Sequence, residues 1–477
     1  MKQIKFLTLL ILTIVISSCE DTFLSPDLVS AENGASYYAN DQEIETAIIN
    51  IYDGIQGVNQ LDVTTSGLNY GVQNEYYITE MRSDNTRTKS SEGEAAQFES
   101  FTVESTNGIV LNYYSSFYNV IFRANTALEN LGAASDAAKP KFEAEAKFLR
   151  AYSYFNLVRL FGDVPLVDKV IIPSEKEIAY TRVATSIIYD FIISDLQTAI
   201  DGLDDSFKDR ASKAAAQTLL AKVYLTTGNY GGAKTLLEDV MSPTRGFSLQ
   251  NNFVDVFYNE LNSEVIFAIG YESSDQYNSQ NFSAEWLNAV GRTSGVNYVT
   301  NEAIAALDAM GGNRAMYSYR VDPAQPTQNQ VVKYLPNGDD DLGIPVTSPD
   351  PTSAGNDWIV LRYADVLLMY VEAVMSGADA TLDAGAIAAF QEVRNRAGLT
   401  DAVTSITKQE LLDERRVELA FENHRLFDLI RFGEAETVLA SFAADNGYTF
   451  SPTDLLLPIP QAEIGLSNGL LSQNPGY

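Results

Sequence analysis

Apolar residues recur at helical spacing along most of this chain, and the pattern is densest between residues 143 and 166. This stretch reads EAEAKFLRAYSYFNLVRLFGDVPL, and apolar side chains occupy most of the circumference of the predicted helix. A helix that is apolar on most sides is buried among other helices. Gly162 is expected to end the helix, and Pro165 to keep it from restarting. The pattern therefore predicts a central helix of an α-helical domain, followed by a fixed turn.

The same spacing predicts further helices at 41–58, 108–131 and 184–203. Two longer segments, 213–241 and 363–396, resemble tetratricopeptide helix pairs, with small residues where the helices would touch. Helix pairs of this kind stack into a curved scaffold that serves for binding and not for catalysis. The chain is therefore predicted to be mainly α, with a scaffold of tetratricopeptide-like helix pairs.

The helical pattern is interrupted at 242–357, where Gly, Pro, Asn, Ser and Tyr become frequent and only short runs such as 264–269 are typical of strands. We expect a loop-rich insertion, because long loops on a rigid scaffold often carry function. It would separate an N-terminal helical region at 41–241 from a C-terminal region at 358–477 that packs on the same scaffold. In the latter, Thr407 and Glu410 form a capping box. It opens a helix expected to run to Gly433.

Composition limits the classes of function. The chain has 477 residues, of which 45% are hydrophobic and 11% aromatic, as in a folded globular protein. Its net charge of −31 argues against nucleic-acid binding, because most of the surface would repel phosphate. Acidic lipid head groups would be repelled too, so contact with a membrane would require an anchor.

The single cysteine, Cys19, lies just after the features of a signal peptide. Lys2 and Lys5 precede an apolar run at 6–16, which is shorter than the roughly 20 residues of a transmembrane helix. The small residues before Cys19 resemble a lipobox, in which the cysteine is acylated. We therefore expect a lipoprotein signal peptide at 1–18 and a lipidated, flexible tether at 19–40.

The residues available for catalysis favour a protein that is not an enzyme. Glu418 and Glu422 are one helical turn apart, and a glycosidase needs two carboxylates. Charged residues surround them in sequence, and such alternation more often indicates a structural ion network. The network is expected to include Glu414, Arg415, Arg416, Arg425, Asp428 and Arg431. His424 is the only histidine, which leaves no second histidine for a zinc site, and it is interpreted as a partly buried packing residue.

One acidic segment could suggest calcium. Residues 338–341 read GDDD, and Asp350 and Asp357 follow. Clustered carboxylates can bind calcium, but the spacing does not match an EF-hand. The segment is interpreted as a solvated loop, and no metal or cofactor is predicted.

Four stretches, spread over the chain in the same order, resemble the SusD/RagB family of surface glycan-binding lipoproteins of Bacteroidetes. They are AEAKFLRAYSYFNLVRLFGDVPL, WIVLRYADVLLMYVEA, LLDERRVELAFENHRLFDLIRFG and LLLPIPQAEIGLSNGLLSQNPGY. The resemblance implies a SusD-like fold whose glycan site is built from two variable regions. The N-terminal region and the insertion supply the candidate residues Tyr70, Asn74, Arg82, Asp84, Tyr277, Trp286 and Tyr298.

Trp286 is the least certain member of this set. It could offer an exposed ring to a sugar, but with Phe282, Leu287 and Val290 it also fits the buried face of a short helix. The resemblance favours the glycan site.

The resemblance also implies a role on the cell surface. The protein would be anchored in the outer membrane, face the exterior, and pass oligosaccharide or polysaccharide to a SusC-like TonB-dependent transporter. A surface glycosidase and a structural or adhesive lipoprotein are the alternatives.

Overall fold

The computed structural model describes residues 38–59, 69–88, 92–273, 277–287, 297–322 and 327–477. The expected signal peptide, Cys19 and most of the expected tether lie outside these ranges. Among the described helices, none is both long enough and apolar enough to cross a membrane.

The helices are distributed along the whole described chain, as the mainly-α prediction requires. In chain order they are α1 (Asp41–Gln56), α2 (Glu75–Ile78), α3 (Ala96–Glu99), α4 (Gly108–Glu129), α5 (Lys139–Phe161), α6 (Lys176–Tyr180), α7 (Thr185–Gly202), α8 (Lys213–Thr226), α9 (Tyr230–Val240), α10 (Asp255–Tyr258), α11 (Phe282–Trp286), α12 (Asn301–Met310), α13 (Ala315–Ser318), α14 (Tyr363–Met375), α15 (Ala384–Arg396), α16 (Lys408–Glu418), α17 (Arg425–Phe432), α18 (Ala435–Asp445) and α19 (Gln461–Leu466).

The strands are short and pair only in twos within the described residues. They are β1 (Thr86–Arg87), β2 (Val164–Pro165), β3 (Arg182–Val183), β4 (Val265–Ile269), β5 (Tyr298–Val299), β6 (Tyr319–Arg320), β7 (Gln330–Val331), β8 (Trp358–Arg362), β9 (Ala380–Thr381) and β10 (Ile406–Thr407). The antiparallel pairs are β1–β5, β2–β3, β4–β8, β6–β7 and β9–β10. The β4–β8 pair joins the insertion to the C-terminal region. Trp358 in β8 is 5% exposed, as expected of a packing residue.

The long helices pack one against the next. In order of contact, the row is α1, α4, α5, α7, α8, α9, α14 and α15. The predicted helix pairs are α8–α9 and α14–α15, which are adjacent in this row. Stacking of this kind buries the apolar face of each pair against its neighbours.

The central helix, α5, is buried on nearly all sides, as its sequence predicts. Gly162 ends it with φ of 71°, a conformation that glycine adopts without steric cost. Arg150 bridges this helix to α7 through a bidentate pair with Asp195, at 2.8 and 2.9 Å. Burial and charge pairing therefore both fix the position of α5.

The prediction of one continuous helix from the capping box to Gly433 is wrong in one respect. The structure has two helices there, α16 and α17, with a turn between them. Phe421 and Asn423 have φ of 66° and 63°, in the left-handed region that ends a helix. The backbone N–H of Asn423 donates to Glu80 at 2.7 Å, which ties the turn to the N-terminal region. The Thr407–Glu410 capping box and the stop at Gly433 are confirmed.

Candidate functional site

The two regions expected to build the site meet in the fold. β1 pairs with β5, so that Thr86 faces Val299 across the two strands. The hydroxyl of Thr300 donates to the backbone oxygen of Asp84 at 2.8 Å. We call the meeting place of residues 69–88 with residues 277–287 and 297–300 the junction. The two parts of the chain that form the junction are more than 200 residues apart in sequence.

The structure corrects the expectation that Trp286 is an exposed stacking surface. Its side chain is 0% exposed. The rings of Tyr76, Tyr334 and Phe421 lie with centroids 5.6 to 6.0 Å from its own. A ring enclosed by three others cannot stack on a sugar in this conformation. The alternative interpretation, a packing role on a short helix, is the one that the structure supports.

Three polar candidates also prove to be buried, and the expectation that they contact a glycan directly is corrected. Asn74 is 2% exposed, Arg82 2% and Asp84 4%. Arg82 donates to the backbone oxygens of Ile78 and Asp454, at 3.2 and 2.7 Å. These side chains therefore form the base of the junction and not its surface.

Asp84 is the charged centre of this base. It binds Arg425 at 2.8 Å and Arg416 at 2.9 Å. Burial alone would raise the pKa of Asp84, but the two guanidinium groups outweigh it and lower the pKa to about 2. The carboxylate is thus ionised and fully engaged, and it holds the turn before β1 against α16 and α17.

The tyrosines are the candidates that remain accessible. Tyr277 is 57% exposed. Tyr70 and Tyr298 are half-buried, and the Tyr298 hydroxyl donates to the backbone oxygen of Thr88 at 3.4 Å. A half-buried tyrosine presents one face of a rigid ring, as stacking on the C–H face of a sugar requires. These three residues lie at the edges of the junction in sequence and structure.

Two asparagines of the junction were missed by sequence reasoning. Asn281 and Asn297 are 1% and 0% exposed, and neither amide group has a hydrogen-bond partner in the described part of the chain. The indole N–H of Trp286 is unpartnered there as well. Buried polar groups of this kind are normally satisfied by water or a ligand. The frequency of Asn in the insertion was the available signal, but it does not distinguish these residues from the others.

The predicted ion network is confirmed, and it accounts for the paired carboxylates. Glu418 and Glu422 are 0% and 4% exposed. Arg362 binds both, at 2.7 and 2.6 Å. Burial alone would raise the pKa of Glu418, but Arg396, Arg362 and Arg314 hold it well below its usual range. Both groups are locked in buried ion pairs, which supports the structural interpretation over the glycosidase alternative.

A small cavity of about 40 Å³ lies beneath the junction, between α2, α5 and the turn before α17. Glu75, Arg159 and His424 line it. Burial raises the pKa of Glu75 to about 7, against the opposing effect of Arg159 and Lys222. Burial also lowers the pKa of His424 to about 3, so this histidine is neutral at physiological pH. Its partial burial agrees with the packing role predicted for it.

The acidic segment of the insertion is arranged as a turn. Asp339 binds Arg320 at 2.5 Å and accepts two backbone N–H groups from residues 341 and 342. Among the residues that the structure describes, no group of three or more acidic, His or Cys side chains is placed to hold a metal ion. Asp350 accepts the backbone N–H of Thr352 in its own loop, and Asp357 accepts that of Tyr271, which directly follows the strand β4 and Gly270.

Comparison with known families accounts for almost all of the described chain. The model of the SusD family matches residues 226–477, which is more than half of the chain. A second model, described as starch-binding and associating with the outer membrane, matches residues 37–225.

Individual relatives extend over similar lengths. A SusD-like protein of Bacteroides ovatus is 26% identical, over 99% of this chain and 97% of its own length. A SusD-like protein of Formosa agariphila is 28% identical, over 81% of this chain and 84% of its own length. A solved laminarin-binding SusD-like protein is 27% identical with a TM-score of 0.76, over 92% of this chain and all of that one. The chain therefore belongs to the SusD/RagB family.

Proposed function

We propose that this protein captures an oligosaccharide or polysaccharide at the junction and passes it to a SusC-like TonB-dependent transporter. In this proposal the chain is held at the outer membrane, facing the exterior, by acylation of Cys19. The single observation that carries the binding role is the accessible set Tyr70, Tyr277 and Tyr298, placed on a base that is rigidly paired. The match to the glycan-binding family supports it.

The rigidity of the base matters because stacking requires a ring that is held in place before the sugar arrives. Arg87 in β1 binds Glu99 at 2.7 Å. The second oxygen of Glu99 accepts the backbone N–H of Thr88 at 2.6 Å, and the Tyr448 hydroxyl donates to the first at 3.1 Å. β1 is thus fixed from below, and Tyr298 pairs across from it in β5.

The test is a binding titration of laminarin, chosen because a relative that is 27% identical is named as laminarin-binding. Stacking on an aromatic ring contributes about 1–3 kcal/mol for a nucleobase, and we expect a similar or smaller value for a sugar. Tyr277→Ala should therefore weaken binding, by up to roughly 100-fold, and replacing all three tyrosines should weaken it by more.

The control is Phe122→Ala. The exposed fraction of Phe122, 53%, is similar to the 57% of Tyr277. Phe122 lies instead in a separate groove with Tyr38 and Thr46. Its removal should leave the affinity unchanged. If the triple tyrosine variant folds and binds every glycan as tightly as the wild type, the junction is not the binding site.

A further inference from the structure

We infer that the junction selects neutral glycans, built from uncharged sugars, over glycans that carry carboxylate or sulfate groups. The inference rests on the proposed function, since it names the class of glycan that the same site would take. It follows from how the charged groups of the junction are paired.

The guanidinium groups in the described junction are already engaged. Arg82 donates to two backbone oxygens, and Arg87 is bound to Glu99 at 2.7 Å. Arg416 and Arg425, which approach from the C-terminal region, are both bound to Asp84. To bind a sulfate or carboxylate, one of them would have to leave a buried partner, and breaking such a pair leaves an uncompensated charge.

Lys333 is engaged in the same way. It is 0% exposed and binds Glu422 at 2.6 Å, and its Nζ lies 5.0 and 4.9 Å from the ring centroids of Phe253 and Phe257. Burial lowers its pKa to about 8, partly offset by Glu422. It is therefore a structural counter-charge to a carboxylate of this protein and not a group offered to a ligand.

The exposed candidates of the junction are uncharged. Tyr70, Tyr277 and Tyr298 present phenol rings, and the amides of Asn281 and Asn297, which are buried in this conformation, can both donate and accept. Sugar hydroxyls also donate and accept, so the two surfaces match without a charge on either side. The net charge of −31 adds a general repulsion of polyanions.

Two basic residues that adjoin segments of the junction in sequence, Lys89 and Arg292, lie outside the described residues. As the basic residues next in sequence to the junction, they provide the discriminating variant.

The experiment measures binding of the purified protein to a broad panel of polysaccharides at about 50 and 500 mM NaCl, a range over which exposed charge interactions become largely screened. The panel includes laminarin and starch as neutral members, alginate as a uronate, and fucoidan as a sulfated glycan. We expect a neutral member to bind at least about tenfold more tightly than any anionic one, with less than a twofold change in Kd between the two salt concentrations. The Lys89→Ala/Arg292→Ala variant should bind the neutral glycan as the wild type does.

An anionic glycan that binds most tightly, weakens with salt and is lost in the double variant would overturn the neutral class while leaving the proposed function intact. Binding to no member of the panel would instead contradict the proposed function, and the inference with it. Equal affinity for neutral and anionic members would also refute selection by charge.

Discussion

At the scale of single residues, Trp286 and Tyr277 differ in environment and should differ in what their removal does. Trp286→Ala would leave a cavity among three aromatic rings and should lower the free energy of unfolding by about 3–5 kcal/mol. Affinity per folded molecule should stay within about twofold, since the side chain does not reach the surface. Urea denaturation and a laminarin titration on the same variant measure the two quantities.

The Tyr277→Ala variant is the matched control and should show the reverse pattern, weaker binding at nearly unchanged stability. A Trp286→Ala protein that is as stable as the wild type but no longer binds glycan would mean that the ring is used by the ligand after all.

Because of Glu75, the stability of the fold should decrease as the pH rises. Its pKa rises from 4.5 to about 7 on folding because of burial. The folded state then holds the proton more tightly, so this group stabilises the fold below pH 4.5, and that stabilisation is lost as the pH rises through about 7. The stabilisation that is lost over this pH range amounts to about 3 kcal/mol at most.

The variant Glu75→Gln, which cannot ionise, should therefore gain stability relative to the wild type between pH 5 and pH 8, as followed by urea denaturation at each pH. The exposed Glu436→Gln serves as the control and should follow the wild type. If the stability difference between Glu75→Gln and the wild type is the same at both pH values, the pKa of Glu75 is not raised on folding.

At the scale of elements, the turn between α16 and α17 is tied to the rest of the molecule by buried charges. Arg362 in β8 binds Glu264, Glu418 and Glu422, and all four side chains are almost completely buried. Arg362→Met would remove the one cation that these three buried carboxylates share, and leave the cluster with an excess of negative charge. Such a loss typically costs about 3–5 kcal/mol, and chemical denaturation at neutral pH should show it.

The surface pair Lys234–Glu238 is the comparison for this prediction. Its side chains are 44% and 51% exposed, and Lys234→Met should change stability by about 1 kcal/mol or less. Equal effects of the two substitutions would show that the buried network does not hold the turn.

The sequence predicted the helices well where one apolar pattern was long. α1, α4, α5 and α7 end within about two residues of their expected bounds, and boundaries are normally uncertain by that much. The break after α16 was not predictable, because its left-handed residues, Phe421 and Asn423, are not glycines and are held by partners distant in sequence. Local patterns carry no information about such partners.

For the candidate site, the sequence indicated which regions meet better than which side chains face outward. The N-terminal region and the insertion, which the resemblance implies build the glycan site, are in contact through the β1–β5 pair, and glycan binding there stays a prediction. Which side chains face outward was not predictable, because five residues of α11 give too short a pattern to separate a buried Trp286 from an exposed one. The burial of Asp84 depends on Arg416 and Arg425, more than 300 residues away in sequence.

At the scale of the whole molecule, membrane attachment is expected to depend on one residue. Two or more acyl chains give stable anchoring where a single chain is marginal. Cys19→Ala should therefore release folded protein from the membrane or leave it unprocessed, as cell fractionation would show. From the same membranes, the wild type should co-purify with a TonB-dependent barrel. A processed Cys19→Ala protein that stays in the membrane fraction would contradict the lipid anchor.

The capture of glycan at the junction is tested most directly by a crystal structure of the protein grown with an oligosaccharide from the tightest-binding member of the panel. We predict sugar rings against one or more of Tyr70, Tyr277 and Tyr298, with the Trp286 side chain still enclosed by its three aromatic neighbours. Sugar bound elsewhere, for example along the row of stacked helices with the junction empty, would contradict the assignment of the site.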